Sequence, residues 1–106
     1  MRIDWSEVAE ADLDDIYDYI ARDVPYYAEL FIDQLIEATD NLEDHPRLGR
    51  KVPEADYRDD VRELIVQGYR IIYRLQADQL QILTVIHGSR NLAAKEAKPW
   101  GSTVTP

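Results

Sequence analysis

Few side chains in this sequence are suited to chemistry, and those that are lie mostly in its second half. Lys51, Arg62, His87 and Arg90 are the set that would suit work on a phosphodiester. Such a reaction needs an acid/base group and cations that stabilise the charge developing on the scissile phosphate. His87 has an ordinary pKa close enough to neutrality to exchange a proton, and the lysine and arginines would supply the positive charge. The sequence holds no cysteine, which removes disulfides, thiol catalysis and thiolate metal sites together. Its two histidines, His45 and His87, lie far apart with no carboxylate–histidine spacing on one element. No metal site is signalled, and no cofactor is expected.

A second constellation reads as a surface for a partner. Arg47, Arg50 and Lys51 put three positive charges into five residues, in a loop carrying Pro46 and Gly49. Glu63, Arg70, Arg74 and His87 alternate with apolar residues further on.

These residues depend for their placement on the stretch 61–90, which has the pattern of three antiparallel strands: Val61–Val66, Tyr69–Leu75 and Leu80–His87. The runs are rich in Val, Ile, Leu and Tyr and bounded by turn residues. Gly68 in the Gln67-Gly68 turn supplies the positive φ of a two-residue hairpin loop. That loop sets Val66 opposite Tyr69, Leu64 opposite Ile71 and Arg62 opposite Tyr73. A four-residue second loop, 76–79, sets Leu75 opposite Leu80 and Tyr73 opposite Ile82.

Side chains alternate, so one face carries Leu64, Val66, Tyr69, Ile71, Tyr73, Leu75, Leu80, Ile82, Thr84 and Ile86 and is expected to be core. The other carries Glu63, Ile65, Arg70, Ile72, Arg74, Gln81, Leu83, Val85 and His87 and is expected to be open, wholly or in part, to a partner. In this register Glu63 lies diagonally across from Arg70 and Arg74, and a cross-strand charge cluster without chemistry is the favoured reading of the three. Arg62 covering Tyr73 at a strand end is an equal alternative to a catalytic arginine. A strand-end His87 and a core Tyr69/Tyr73 pair are favoured over a catalytic base and a base-stacking platform.

The first half supplies the cover for the sheet. Residues 2–5 can form a strand. Ser6 is suited to cap a helix over residues 7–22, with Ala9, Leu13, Ile16, Tyr17 and Ile20 at spacings of three and four. Asp12, Asp14, Asp15 and Asp18 fill its other side. Pro25 is suited to open a second helix over residues 25–44, striped with Ala28, Phe31, Ile32, Leu35, Ile36, Thr39 and Leu42. The short break between them makes an antiparallel hairpin. Val52–Asp60 shows little pattern, 92–98 has the composition for one or two helical turns, and Trp100–Pro106 reads as a loose tail. The class is α+β: an N-terminal strand and a helical hairpin packed on a small, mainly antiparallel sheet.

At 106 residues the chain suits one domain. No apolar run reaches the roughly 18 residues of a membrane span, and no basic segment followed by an apolar stretch marks it for secretion. A cytoplasmic location is expected. The net charge of −9 is uneven: residues 1–46 carry 14 acidic and 2 basic residues, residues 47–106 carry 7 and 10. A chain this acidic disfavours direct nucleic-acid binding, and any polyanion would approach through the second half.

In order and spacing the sequence resembles the RelE/ParE toxin superfamily of type II toxin–antitoxin systems, nearer its ParE branch. The likeness rests on Trp5-Ser6, Ala11-Asp12-Leu13 with Ile16 and Ile20, Pro25, and His45-Pro46-Arg47-Leu48-Gly49-Arg50. It continues through Arg62-Glu63-Leu64, Tyr69-Arg70-Ile71-Ile72-Tyr73-Arg74 and Val85-Ile86-His87-Gly88-Ser89-Arg90. It makes residues 1–92 one toxin-like domain and 93–106 a tail. It implies an antitoxin partner and one of two modes of action. RelE-like members cut mRNA on the ribosome, and Arg62 and Arg90 stand where that branch has arginines. ParE-like members bind DNA gyrase and lack most of the catalytic set. No tyrosine follows Arg90, which favours the gyrase mode over the ribonuclease; a non-toxic binding module is the third reading.

Overall fold

The structure, a computed structural model, describes residues 1–88 and 99–101. The chain begins with strand β1 (Arg2–Trp5) and helix α1 (Glu7–Ala21). Ser6 joins them: its hydroxyl oxygen accepts the Ala9 amide at 3.0 Å and its hydroxyl donates to the Leu83 carbonyl at 2.9 Å. One side chain thus satisfies an orphan donor at the helix start and ties that start to the sheet. Helix α2 (Pro25–Asp40) opens with Pro25 in its first turn, where a missing N–H costs nothing. The helix expected to reach residue 44 ends at Asp40 and tightens into a 3-10 turn over Asn41–Glu43.

Strand β2 (Arg50–Lys51), a 3-10 turn (Pro53–Ala55), and strands β3 (Val61–Val66), β4 (Tyr69–Leu75) and β5 (Gln79–His87) complete the order. The sheet has five strands in the order β1-β5-β4-β3-β2, with β1 parallel to β5 and the other pairs antiparallel. All five expected cross-strand pairs are present, from Val66 opposite Tyr69 to Tyr73 opposite Ile82. Gln67 (φ 52°) and Gly68 (φ 81°) both adopt positive φ, the turn whose twist matches a hairpin.

Beyond Tyr73 the expected register fails. Ile72 faces Thr84 where the regular ladder would require Leu83, so β5 carries one extra residue, a bulge. Val85 therefore packs with the helices, whereas Ile86 packs on the opposite face. His87 comes opposite Tyr69, with ring centroids 5.4 Å apart.

The principal core lies between hairpin and sheet. Ala9 and Ile16 of α1, Phe31 and Leu35 of α2, and Leu42 meet Ile71, Tyr73, Leu80, Ile82 and Val85. The sheet face expected to be open is covered at its centre. Val52, Ala55, Val61, Ile72, Leu83, Ile86 and Trp100 form a second buried cluster there. Trp100, expected in a loose tail, is only 4% exposed. The reason is that Val52–Ala55 and Trp100 supply the apolar area that Ile72, Leu83 and Ile86 need on that side. No helix among the described residues is long and apolar enough to cross a membrane.

Candidate functional site

The loop before β2 is anchored at its backbone. Tyr73, fully buried, accepts the Gly49 amide at 2.9 Å and donates to the Pro46 carbonyl at 2.8 Å. A Cβ on Gly49 would meet the Glu63 carbonyl oxygen at 2.6 Å and the Tyr73 hydroxyl at 2.7 Å, so only glycine fits. Burial pushes the Tyr73 phenol pKa up, which keeps it a neutral donor. Tyr73→Phe leaves the Gly49 N–H and Pro46 carbonyl without their partner, at an expected cost of about 1–3 kcal/mol. Urea unfolding of the two proteins checks this.

Arg62 completes the anchor. Its guanidinium donates to the carbonyls of Asp59 (3.1 Å), Arg47 (3.4 Å) and Gly49 (3.0 Å) and to Asp59 Oδ1 (2.8 Å). It is a structural clamp on the loop. Arg47 also pairs with Asp59, and Lys51 Nζ lies 3.8 Å from the same carboxylate. The Arg47 bond holds the Asp59 pKa below its ordinary value.

Next to this loop, on the second face of the sheet, Arg70 Nε donates to Glu63 Oε1 at 2.6 Å. Its two terminal nitrogens donate to Glu54 at 2.7 and 2.9 Å, a bidentate pair. Arg50 closes on the other Glu63 oxygen at 2.7 Å. Glu63 and Arg70, placed by the sequence on an open face, are 1% and 6% exposed. The expected charge cluster is present in part: Arg74 reaches Asp60 at 3.1 Å, beside Arg58, and not Glu63.

The Arg70 bonds hold the Glu54 pKa below its ordinary 4.5, and the Arg58 bonds do the same for Asp60 below 3.8. Groups with depressed folded-state pKa stabilise the fold above their unfolded pKa, and that contribution is lost as the pH falls through the folded values. Stability is expected to decline as the pH drops from about 5 through the carboxylate range, and Glu54→Gln should flatten that decline. A series of thermal melts between pH 3 and 7 measures it.

The phosphodiester set does not assemble among the described residues. Arg62 pairs with Tyr73 and His87 with Tyr69, four residues apart on β4, or roughly 13 Å along the strand. Lys51 sits with Arg62 at the loop, while Arg90 and the expected helical turns at 92–98 lie outside the described residues. Around the loop the exposed cations are Arg47, Arg50 and Lys51, with Arg74 half-buried.

Sequence reasoning missed Glu54, Arg58, Asp59 and Asp60, because charged residues in an unpatterned connection carry no periodic signal. It also missed Asp12, treated as solvated: it accepts the Val85 amide at 2.9 Å and the Thr84 hydroxyl, and so holds the bulge against α1.

On the far side of the molecule, α1 and α2 leave a groove of about 390 Å³ lined by Glu10, Leu13, Asp14, Tyr17, Ile32 and Ile36.

The fold and its loop have relatives. A solved chain from the chromosomal ParDE TA system of P. aeruginosa superposes with a TM-score of 0.71 at 26% identity, covering 82% of this chain and 95% of that one. Toxin ParE3 of Caulobacter vibrioides is 38% identical over 53 residues. That match spans 50% of this chain and 51% of the relative, about half the length of each. The model of the family described as ParE toxin of type II toxin-antitoxin system, parDE, matches residues 3–92. With its helical hairpin and five-stranded sheet, and the family model matched over residues 3–92, the chain belongs to the ParE toxin family of type II toxin–antitoxin systems.

Proposed function

We propose that this chain acts by binding a protein target, DNA gyrase, in the cytoplasm, without catalysis, and that a cognate antitoxin neutralises it. The observation that carries this reading is the state of Arg62. Four of its five N–H donors go to three carbonyl oxygens and a carboxylate, which fix the guanidinium on the backbone of the loop. The acid/base candidate His87 lies at the other end of β4. What the region offers instead is a rigid loop presenting Arg47, Arg50 and Lys51, suited to docking on a partner. Glu63 and Arg70 support that surface from beneath, Arg74 stands at its border, and His87 stays a contact candidate at the far end of the sheet.

The test is a supercoiling assay with purified gyrase. Inhibition, with gyrase-dependent DNA breaks, is expected from the chain alone and is relieved by antitoxin. An Arg47→Glu/Lys51→Glu variant should lose inhibition while remaining folded. If induction instead produced codon-linked mRNA cleavage that disappeared in Arg62→Ala and Arg90→Ala, the gyrase reading would be wrong. Unaffected growth on induction would mark a non-toxic binding module.

A further inference from the structure

We propose that Arg47, Lys51 and Arg62 form a phosphate-binding site, which the chain's own Asp59 carboxylate fills and which an incoming phosphate group takes by displacing it. The site binds and does no chemistry, and it stands apart from the gyrase reading. Its three cations come from three places, the loop before β2, β2 itself and β3, and they meet at one carboxylate. Arg47 bonds Asp59 Oδ2, Arg62 bonds Oδ1 at 2.8 Å, and Lys51 Nζ stands 3.8 Å from the same Oδ1. Two oxygens thus serve three cations, and Lys51 is left at ion-pair distance from this carboxylate, beyond hydrogen-bond reach. A phosphate group has oxygens enough to give each cation its own, and guanidinium forks and lysine ammonium groups are its usual donors.

The cations are held in place, whereas the carboxylate that fills the site is loosely held. The Arg62 side chain is only 12% exposed and is fixed by the Asp59, Arg47 and Gly49 carbonyls. The Tyr73 hydroxyl fixes the loop that carries Arg47, through Gly49 and Pro46. The Asp59 side chain, by contrast, is 57% exposed, as are 60% of Arg47 and 46% of Lys51. Ion pairs at such exposure are weak and screened by salt, so little is lost when Asp59 leaves. The neighbouring carboxylates have other partners: Glu63 and Glu54 serve Arg70, with Arg50 also on Glu63, and Asp60 serves Arg58 and Arg74. Asp59 is therefore the charge that closes this site, and its removal leaves three cations facing solvent in a chain otherwise dominated by acids.

The experiment titrates the full chain with inorganic phosphate at constant ionic strength and follows the arginine and lysine side chains by NMR. Asp59→Asn removes the charge and keeps the shape. Asp33→Asn, at an exposed position of α2, changes the net charge equally and is the control for non-specific attraction. Circular dichroism confirms that the variants are folded. Asp59→Asn is expected to bind phosphate at least about tenfold more tightly than the wild type, Asp33→Asn no more tightly. Adding Arg47→Ala and Lys51→Ala to Asp59→Asn should abolish the gain. In the wild type, high phosphate should raise the Asp59 pKa towards its ordinary value, because the carboxylate gives up its bond to Arg47. A second arm measures fluorescence anisotropy of a short labelled oligothymidylate. Binding of that strand by Asp59→Asn assigns the phosphate to a nucleic-acid backbone, and binding of inorganic phosphate alone assigns it to a free or monoester phosphate. No gain in Asp59→Asn, an equal gain in Asp33→Asn, a gain that survives loss of Arg47 and Lys51, or an Asp59 pKa that phosphate does not move each overturns the proposal. None of these results touches the gyrase reading, which the supercoiling assay tests separately.

Discussion

Replacing Arg70 with leucine should lower the unfolding free energy by about 3–5 kcal/mol, although the substitution adds apolar surface to a sheet. The loss comes from what is left behind. The Glu63 side chain has no solvent exposure, and Arg70 supplies one of its two charged partners at 2.6 Å. Without it, a buried carboxylate keeps only Arg50, whose side chain is 64% exposed and hydrated. Removing one partner of a buried pair strands a charge, whereas removing both does not. The Glu63→Leu/Arg70→Leu double variant is therefore expected to recover most of the loss. Glu54, at the rim of the cluster, is free to hydrate once Arg70 is gone. Urea unfolding of the wild type, the single variants and the double variant forms the cycle, with unchanged m-values as the control that only stability moved. A double variant as weak as Arg70→Leu would mean that the cluster positions the loop before β2 and does more than neutralise charge.

Truncating Leu35 to alanine is expected to cost about 2–5 kcal/mol. Leu35 has no exposure and sits at the centre of the cluster joining α2 to β4 and β5. Close-packed surroundings relax only in part around a deletion, so a cavity adds to the lost transfer free energy. Its neighbour Ile36 makes an internal control. At 37% exposed, Ile36→Ala should cost roughly 1 kcal/mol or less. The contrast between adjacent apolar residues separates the stripe that holds the fold from the stripe that faces outward.

The pairing of β3 with β4 was legible in the sequence to the residue, and that of β4 with β5 only from Leu75 opposite Leu80 to Tyr73 opposite Ile82. Alternation, the Gln67-Gly68 turn and the four-residue loop 76–79 determined the five expected pairs, and apolar spacings of three and four separated the helices from the strands. The bulge near Thr84 was not legible because its stabilising partner, Asp12, is 72 residues away and looks like any other acid on a polar helix face. Shifting β5 by one residue moved Val85 and His87 towards the helices and Ile86 away from them.

The connection 52–60 was opaque for another reason. Its turn uses Asp56 (φ 54°) and Tyr57 (φ 58°) in the left-handed region, without the glycine that normally announces such a turn. That turn brings Glu54, Asp59 and Asp60 against the arginines of the loop and sheet. Charge type was therefore readable at the candidate site, but pairing was not. Arg62 reads the same in sequence whether it is free to meet a phosphate or spent on carbonyl oxygens.

The pairing of β1 with β5 joins Arg2 to Gln79 and Trp5 to Ile82. These contacts close loops of 77 residues, and a parallel pairing of that span is among the slower steps a small domain can require. During synthesis the strand at the start of the chain therefore waits for the last strand of the sheet. Until then the acidic hairpin has neither the sheet that buries Phe31 and Leu35 nor the carbonyls to which Ser6 bonds. Assembly of the complete sheet is consequently a late event in translation. A nascent chain stopped before β5 carries the charge of the family member but not its fold.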